Sequence, residues 1–180
     1  FSLLDRALEE LDRAVKIFEH IGDNKGLGHS YSLIGNIFYR YYKDYDRAYD
    51  YHFKSYNLGK KYNYLSMELV GLNNLGGNMH QRYEFKLYEK YLEKALARTL
   101  ETKFESRIPS TYYRLALVSY YLSDYGNLES YYKLSLKNPF DNGDGYSNTD
   151  FINILRLSAY GAYEEVYKHL LDFIEIPSGR

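Results

Sequence analysis

Apolar residues recur at three- and four-residue steps along nearly the whole chain, the spacing of one helix face. Leu4, Ala7, Leu8, Leu11, Ala14, Val15 and Phe18 predict a first helix over Leu3 to His20, with Gly22 and Asp23 ending it. Further helices are predicted over Leu27–Tyr42, Asp46–Lys60, Leu65–Gln81, Glu84–Leu100, Ser110–Leu122, Leu128–Leu136, Thr149–Tyr160 and Tyr163–Phe173. Lys43-Asp44, Asp124–Gly126 and Gly161 read as turns, and Pro109 as a helix start, where its missing N–H costs nothing. Asn148 or Ser147 is a candidate cap for the eighth helix. Asn138–Gly145 is the one strongly turn-rich loop, and Pro177-Ser178-Gly179 reads as a frayed tail. No segment sustains the period-2 alternation of a strand, so the expected class is all-α with about nine helices.

The helices repeat. Ala14, Ser55, Ala95 and Ser135 follow one another at steps of 41, 40 and 40 residues, and the pairs Ile34-Gly35, Leu75-Gly76 and Leu115-Ala116 keep the same step. Self-similarity at this period is the mark of an α-solenoid, in which helix pairs stack because none buries its apolar face alone. Such arrays build extended concave surfaces, which points towards binding rather than catalysis.

Within the repeat, the first helices read large, then large-small, then large: Tyr31, Ile34-Gly35 and Phe38; Leu72, Leu75-Gly76 and Met79; Tyr112, Leu115-Ala116 and Ser119. The second helices read small, large, small: Ala7, Leu11, Ala14; Ala48, His52, Ser55; Tyr88, Leu92, Ala95; Leu128, Tyr132, Ser135. Small residues at the crossings let helix backbones approach, and large neighbours fill the adjacent grooves. In these residues the chain resembles the tetratricopeptide repeat family, closely over about residues 5–137 and loosely over 148–175. The resemblance implies a right-handed α-solenoid of helix-turn-helix units. Residues 3–22 would be an unpaired second helix, and 25–62, 64–101, 106–138 and 148–175 would be helix pairs of a single array over residues 1–180. The phase implies that a first helix precedes residue 1, so the chain is expected to be part of a larger protein. The period exceeds the usual value of about 34. Elongated repeats of this kind are similar to those of bacterial peptide-sensing regulators, both response-regulator phosphatases and quorum-sensing transcription factors. Departures from the pattern are Ser119, which is small, Tyr88 and Leu128, which are large, and the polar His52.

Composition narrows the chemistry. The 180 residues contain no cysteine, which excludes a disulfide framework, thiol catalysis and cysteine-ligated zinc, and suits a reducing, cytoplasmic setting. Net charge is −1 without a basic stripe, so no nucleic acid partner is expected of this segment. No apolar run approaches the roughly 20 residues of a membrane span, and no signal peptide opens the chain. His20, His29, His52, His80 and His169 form no His-Glu-x-x-His pair, no Gly-x-Ser-x-Gly elbow or phosphate-binding loop occurs, and no metal, cofactor or catalytic residue is expected. Asp141–Gly145 lacks the EF-hand spacing and its final glutamate, which favours a plain turn over a calcium loop. Gly71, Gly76 and Gly77, inside a helix, read as packing or groove-access positions.

The 24 tyrosines, dense from Tyr39 to Tyr56, admit two readings: core filling with hydroxyls reaching water, or an aromatic recognition surface. In tetratricopeptide arrays the first helix of each pair lines the concave face. That mapping places His29, Ser32, Asn36, Tyr39 and Arg40 there, then Asn73, Asn74, Gly77, His80 and Gln81, then Tyr113, Arg114, Tyr120 and Tyr121, with Asn153 extending the row. Asn36, Asn73 and Asn74 each carry a donor and an acceptor suited to clamping a peptide backbone. Arg40 and Arg114 suit a carboxylate, and the tyrosines supply contact area. The expected function is therefore a noncatalytic peptide- or protein-binding scaffold or sensor of a bacterial regulator. The alternative is a self-associating array, a homodimer without a peptide ligand.

Overall fold

The computed structural model describes residues 3–103, 108–137 and 148–175. These form helices α1 (Leu3–Ile21), α2 (Asn24–Ile37), α3 (Tyr45–Lys61), α4 (Leu65–Gln81), α5 (Phe85–Glu101), α6 (Ile108–Tyr121), α7 (Tyr125–Lys137), α8 (Asn148–Ala159) and α9 (Tyr163–Glu175), with a π-helical turn Phe38–Tyr42 continuing α2. No strand occurs among the described residues, so the all-α helical-repeat class expected from the sequence holds. Pro109 is the second residue of α6 rather than the residue before it. The Asn138–Gly145 loop, Ser147 and the Pro177-Ser178-Gly179 tail lie outside the described residues.

The chain divides into two units, Phe1–Arg98 and Thr99–Arg180. In the first, α1 packs on α2, α2 on α3 and α3 on α4, and the two first helices α2 and α4 also touch. Ile34, Phe38 and Ala48 form a buried core there, flanked by Leu8, Leu11, Val15, Tyr39 and Tyr51. In the second, α6 packs on α7, both pack on α8, and α8 meets α9. Ala116, Leu128 and Ile152 are its core. Most small positions of the repeat are deeply buried, with Ala48, Ser55, Ala95, Ala116 and Ser135 all within 2% of complete burial, whereas Ala7 and Ala14 on α1 are half-buried. Ser119 is buried and satisfied, its hydroxyl donating to the Leu115 carbonyl at 2.8 Å. The large Tyr88 and Leu128 are accommodated as well, Tyr88 because Gly76 faces it: a Cβ there would lie 3.1 Å from the Tyr88 ring.

The connections explain the period. Gly22, Lys43, Asn63, Tyr83, Lys103 and Ser123 all have left-handed backbone angles, with φ between 54° and 72°, and from Lys43 onward they stand 20 residues apart. Each ends a helix, and at four of them the next amide reaches back five residues: Asp23 to Phe18, Tyr64 to Gly59, Glu84 to Met79 and Asp124 to Ser119, all at 2.8–2.9 Å. This is the Schellman closure of a helix. The same next residue starts the following helix. The Asp23 carboxylate accepts from the amides of Lys25 and Gly26, and that of Asp44 from Arg47, which is N-capping. Two or three residues therefore suffice for the reversals at Gly22, Lys43, Asn63, Tyr83 and Ser123, and the helices joined there run antiparallel.

The single 41-residue step has a structural cause. Phe38 and Met79 are 41 residues apart, whereas the turn residues Lys43 and Tyr83 are 40 apart, so the extra residue lies between positions 38 and 43. That is where the backbone widens into the π turn, and the closing amide of Asp44 reaches back six residues to Phe38 at 3.1 Å instead of five. A π turn is how a helix absorbs one inserted residue. The sequence reading carried α2 through Tyr42 as ordinary α-helix, because a one-residue insertion near a helix end leaves the apolar spacing intact.

Many tyrosine hydroxyls tie helices together about one repeat apart. Tyr42 donates to Asp5 at 2.9 Å, Tyr45 to Gln81 at 3.4 Å, and the Tyr49 and Tyr91 hydroxyls lie 3.0 Å apart. Burial and this contact push the Tyr91 hydroxyl pKa upward. Burial and the Glu19 carboxylate push that of Tyr31 up to about 12.

Deleting Tyr41 is expected to restore the 40-residue step and leave the melting free energy within about 1 kcal/mol of the native chain, while deleting Gln81 costs more than about 3 kcal/mol; urea denaturation followed by circular dichroism measures both. Lys43→Gly removes a side chain from the left-handed region and is expected to stabilise by about 0.5–1 kcal/mol in the same measurement. No gain would mean that Lys43 holds its φ of 55° at no cost.

Candidate functional site

Seven of the proposed lining residues fall in the first unit, on α2, its π turn and α4: Asn36, Tyr39, Arg40, Asn73, Asn74, Gly77 and His80. Tyr113, Arg114 and Tyr120, all on α6, fall in the second. Within the first unit the structure brings α2 and α4 side by side, with the Tyr39 hydroxyl 3.5 Å from the Gly77 carbonyl. A Cβ at Gly77 would meet nothing but that tyrosine, at 3.6 Å, so this glycine leaves open surface. Gly71 differs, since a Cβ there would lie 2.7 Å from the Tyr56 side chain, which makes it a packing position.

Tyr39, His80 and Tyr120 occupy equivalent repeat positions, and each is half-buried against another aromatic ring. Tyr39 meets Tyr45 edge-on at 5.5 Å, His80 meets Phe85 at 6.0 Å and Tyr88 at 5.2 Å, and Tyr120 meets Tyr121 at 6.2 Å. These are packing roles, and their exposed edges are what remains for contact. Tyr113 likewise packs on Phe151 at 6.2 Å, while Arg114 is exposed. Gln81 accepts from Tyr45, and Asn153 accepts from the Arg156 guanidinium at 3.1–3.3 Å, so both amides have internal partners.

The asparagines are not equivalent. The Asn73 amide donates back to the Leu69 carbonyl at 3.0 Å, an i−4 bond along its own helix. Asn74 is half-buried and makes no side-chain hydrogen bond among the described residues. Asn36 is half-buried, and its Oδ1 lies 3.3 Å from Nε2 of His52. Arg40 is exposed and has no ion pair among the described residues.

The sequence reading missed the most constrained polar group of this unit. Asn78 is fully buried, and its Nδ2 donates to the Asn74 carbonyl at 2.8 Å and to Nδ1 of His52 at 2.9 Å. Its Oδ1 is buried without a hydrogen-bond partner. His52 is 2% exposed, and that desolvation drops its pKa to about 4. A signal for this was present. Asn78 occupies the repeat position of Ile37 and Val118, and His52 that of Leu11, Leu92 and Tyr132, so polar residues replace apolar ones in two columns that meet. Gly35 leaves the space, because a Cβ there would lie 2.5 Å from the imidazole.

No group of histidine and carboxylate side chains suited to a metal ion occurs among the described residues, and no described helix is long and apolar enough to cross a membrane. A shallow hollow along α9, lined by Tyr163, Glu164, Tyr167 and Lys168, contains none of the predicted residues.

Comparison with solved structures places this geometry in context. The chain is similar in fold to aspartyl phosphate phosphatase F from Bacillus subtilis, with a TM-score of 0.78 and 20% identity over 93% of this chain and 44% of that one. The chain thus spans under half of the phosphatase's length. It is also similar to BtubC (BKLC) from P. vanneervenii, with a TM-score of 0.68 and 15% identity over 100% of this chain and 96% of that one. No family model and no curated protein matches the sequence. At these identities the likeness is one of fold.

The histidine generates a pH prediction. An unfolded chain takes up this proton near pH 6.5, the native chain only near 4. The native state is therefore expected to lose stability as pH falls from about 6.5 to about 4, by on the order of 3 kcal/mol, with none of the loss above that window. Urea midpoints at pH 7 and pH 4.5 for the native chain and His52→Leu check this. An equal acid loss in both would assign the titration to another group.

Proposed function

We propose that the chain is a noncatalytic binding scaffold, the sensor part of a bacterial cytoplasmic regulator, which holds a peptide or extended protein segment on the solvent side of α2 and α4. The observation that carries this is the pair of adjacent first helices bearing half-buried amides at Asn36, Asn73 and Asn74, open backbone at Gly77, and an exposed Arg40 without an ion pair among the described residues. Amides matched to a peptide backbone hold a ligand whatever its side chains, and the arginine supplies a carboxylate partner. The fold likeness to a bacterial aspartyl phosphate phosphatase supports a regulatory setting. In the second unit, Tyr113, Arg114 and Tyr120 on α6 offer contact area of their own. No cofactor, metal, membrane or nucleic acid enters this reading.

A display selection of random linear peptides tests it, counter-selected on the Asn36→Ala/Asn73→Ala double variant. Peptides enriched on the native chain are expected to lose at least about tenfold in affinity on the variant, roughly one charge-free hydrogen bond's worth or more, with helical circular dichroism unchanged. Equal affinity for both would remove the amide clamp.

A second reading is self-association. Ile17 and Ile21 on α1 are 58% and 63% exposed, and Tyr163 and Tyr167 on α9 are 70% and 63% exposed. Apolar side chains left open on a helix face favour contact with a partner. Light scattering that shows a dimer indifferent to the double variant favours it.

A further inference from the structure

Two buried polar side chains stand in columns that the rest of the repeat fills with Ile, Val, Leu and Tyr. Replacing apolar pairs by a buried imidazole and amide costs stability, all the more because the Asn78 Oδ1 has no hydrogen-bond partner. What the pair provides is direction. The Asn74 carbonyl can only accept, so the Asn78 atom 2.8 Å from it is the NH2 group. That same NH2 lies 2.9 Å from His52 Nδ1, which must therefore be the bare, accepting nitrogen. The ring proton is then on Nε2, which donates to Asn36 Oδ1 at 3.3 Å. The Asn36 oxygen is consumed, and its two N–H bonds, which no described residue takes, are left for solvent.

We propose that His52, held in one tautomer by Asn78, is a positioning residue that turns the Asn36 amide so that it offers only donors to the α2–α4 surface, selecting a ligand carbonyl oxygen there. The inference rests on the peptide-binding reading above and adds to it the polarity of one contact. A free asparagine flips to suit either a donor or an acceptor, whereas this one is committed before the ligand arrives, so no rotamer choice remains to be lost on binding. The chain runs from a backbone carbonyl of α4 through α3 to the surface of α2, all within the first unit.

Three variants separate this from a merely structural role. His52→Leu installs the residue of the equivalent position 92 and removes the hold on Asn36. His52→Gln keeps an acceptor for Asn78 and a donor for Asn36. Asn78→Val installs the residue of position 118 and frees the tautomer. The probes are the peptides enriched on the native chain from the random linear library, measured by fluorescence anisotropy, alongside nitrogen NMR of the His52 ring and the Asn36 side-chain amide. The expected result is Nε2–H His52 in the native chain and peptide affinity reduced about tenfold or more in His52→Leu. The double variant His52→Leu/Asn78→Val is expected to keep or raise the urea midpoint at pH 7, because no polar group is left buried without its partner, and His52→Gln is expected to bind within about threefold of native. A purely structural pair would instead spare the affinity of whatever remains folded. Native affinity in a folded His52→Leu, an Asn36 amide signal unmoved by that substitution, or a Nδ1–H tautomer in the native chain would each overturn the positioning role while leaving the binding reading intact. No enrichment on the native chain would overturn the binding reading, and the positioning role with it.

Discussion

The fold depends on a backbone hydrogen bond that recurs at helix ends, after α1, the π turn, α3, α4, α6 and α8, where an amide reaches back past a left-handed residue to close the last turn. Because the donor residue also opens the next helix, one bond sets both where a helix stops and how the chain reverses. Repeated every 20 residues, it fixes helix length, brings equivalent residues into columns, and makes the small residues of each column coincide with the crossings. Four of these left-handed residues are Lys43, Tyr83, Lys103 and Ser123, none of them a residue that favours the conformation. Tertiary packing of the flanking helices, rather than local preference, therefore holds these turns.

The repeat itself was legible in the amino-acid pattern, since Ala14, Ser55, Ala95 and Ser135 report crossings that only small side chains permit. The aspartates Asp23, Asp44 and Asp124 were legible as breaks. They turn out to be shared elements, each finishing one helix and opening the next. What periodicity concealed was the π turn, because a single inserted residue at the end of α2 changes the hydrogen-bond span without disturbing the apolar stripe before it. The 41-residue step was visible, but assigning it to positions 38–43 required the turn residues Lys43 and Tyr83 as fixed marks.

For the candidate site, family position pointed to α2, α4 and α6 but said nothing of the state of each side chain. Asn73 spends an amide hydrogen on its own helix and Asn36 its oxygen on a histidine, while Tyr39 and His80 pack on neighbouring rings. Asn78 was passed over because it lies next to Gly77 on a helix already rich in polar residues. Only comparison down its column, Ile37, Asn78 and Val118, marks it as out of place. A residue that breaks a repeat's own rule, and meets another that does the same, is a stronger signal than any polar residue on a surface helix.

The phenol ties have a mechanical consequence. A contact such as Tyr42 to Asp5 or Tyr45 to Gln81 sits in the wet margin between helices, where water replaces either partner with little net loss. Neighbouring helices of the first unit are thus joined at their edges by links that break and re-form cheaply, while the small-residue crossings beneath act as pivots. A body built this way is compliant in bending and stiff in register.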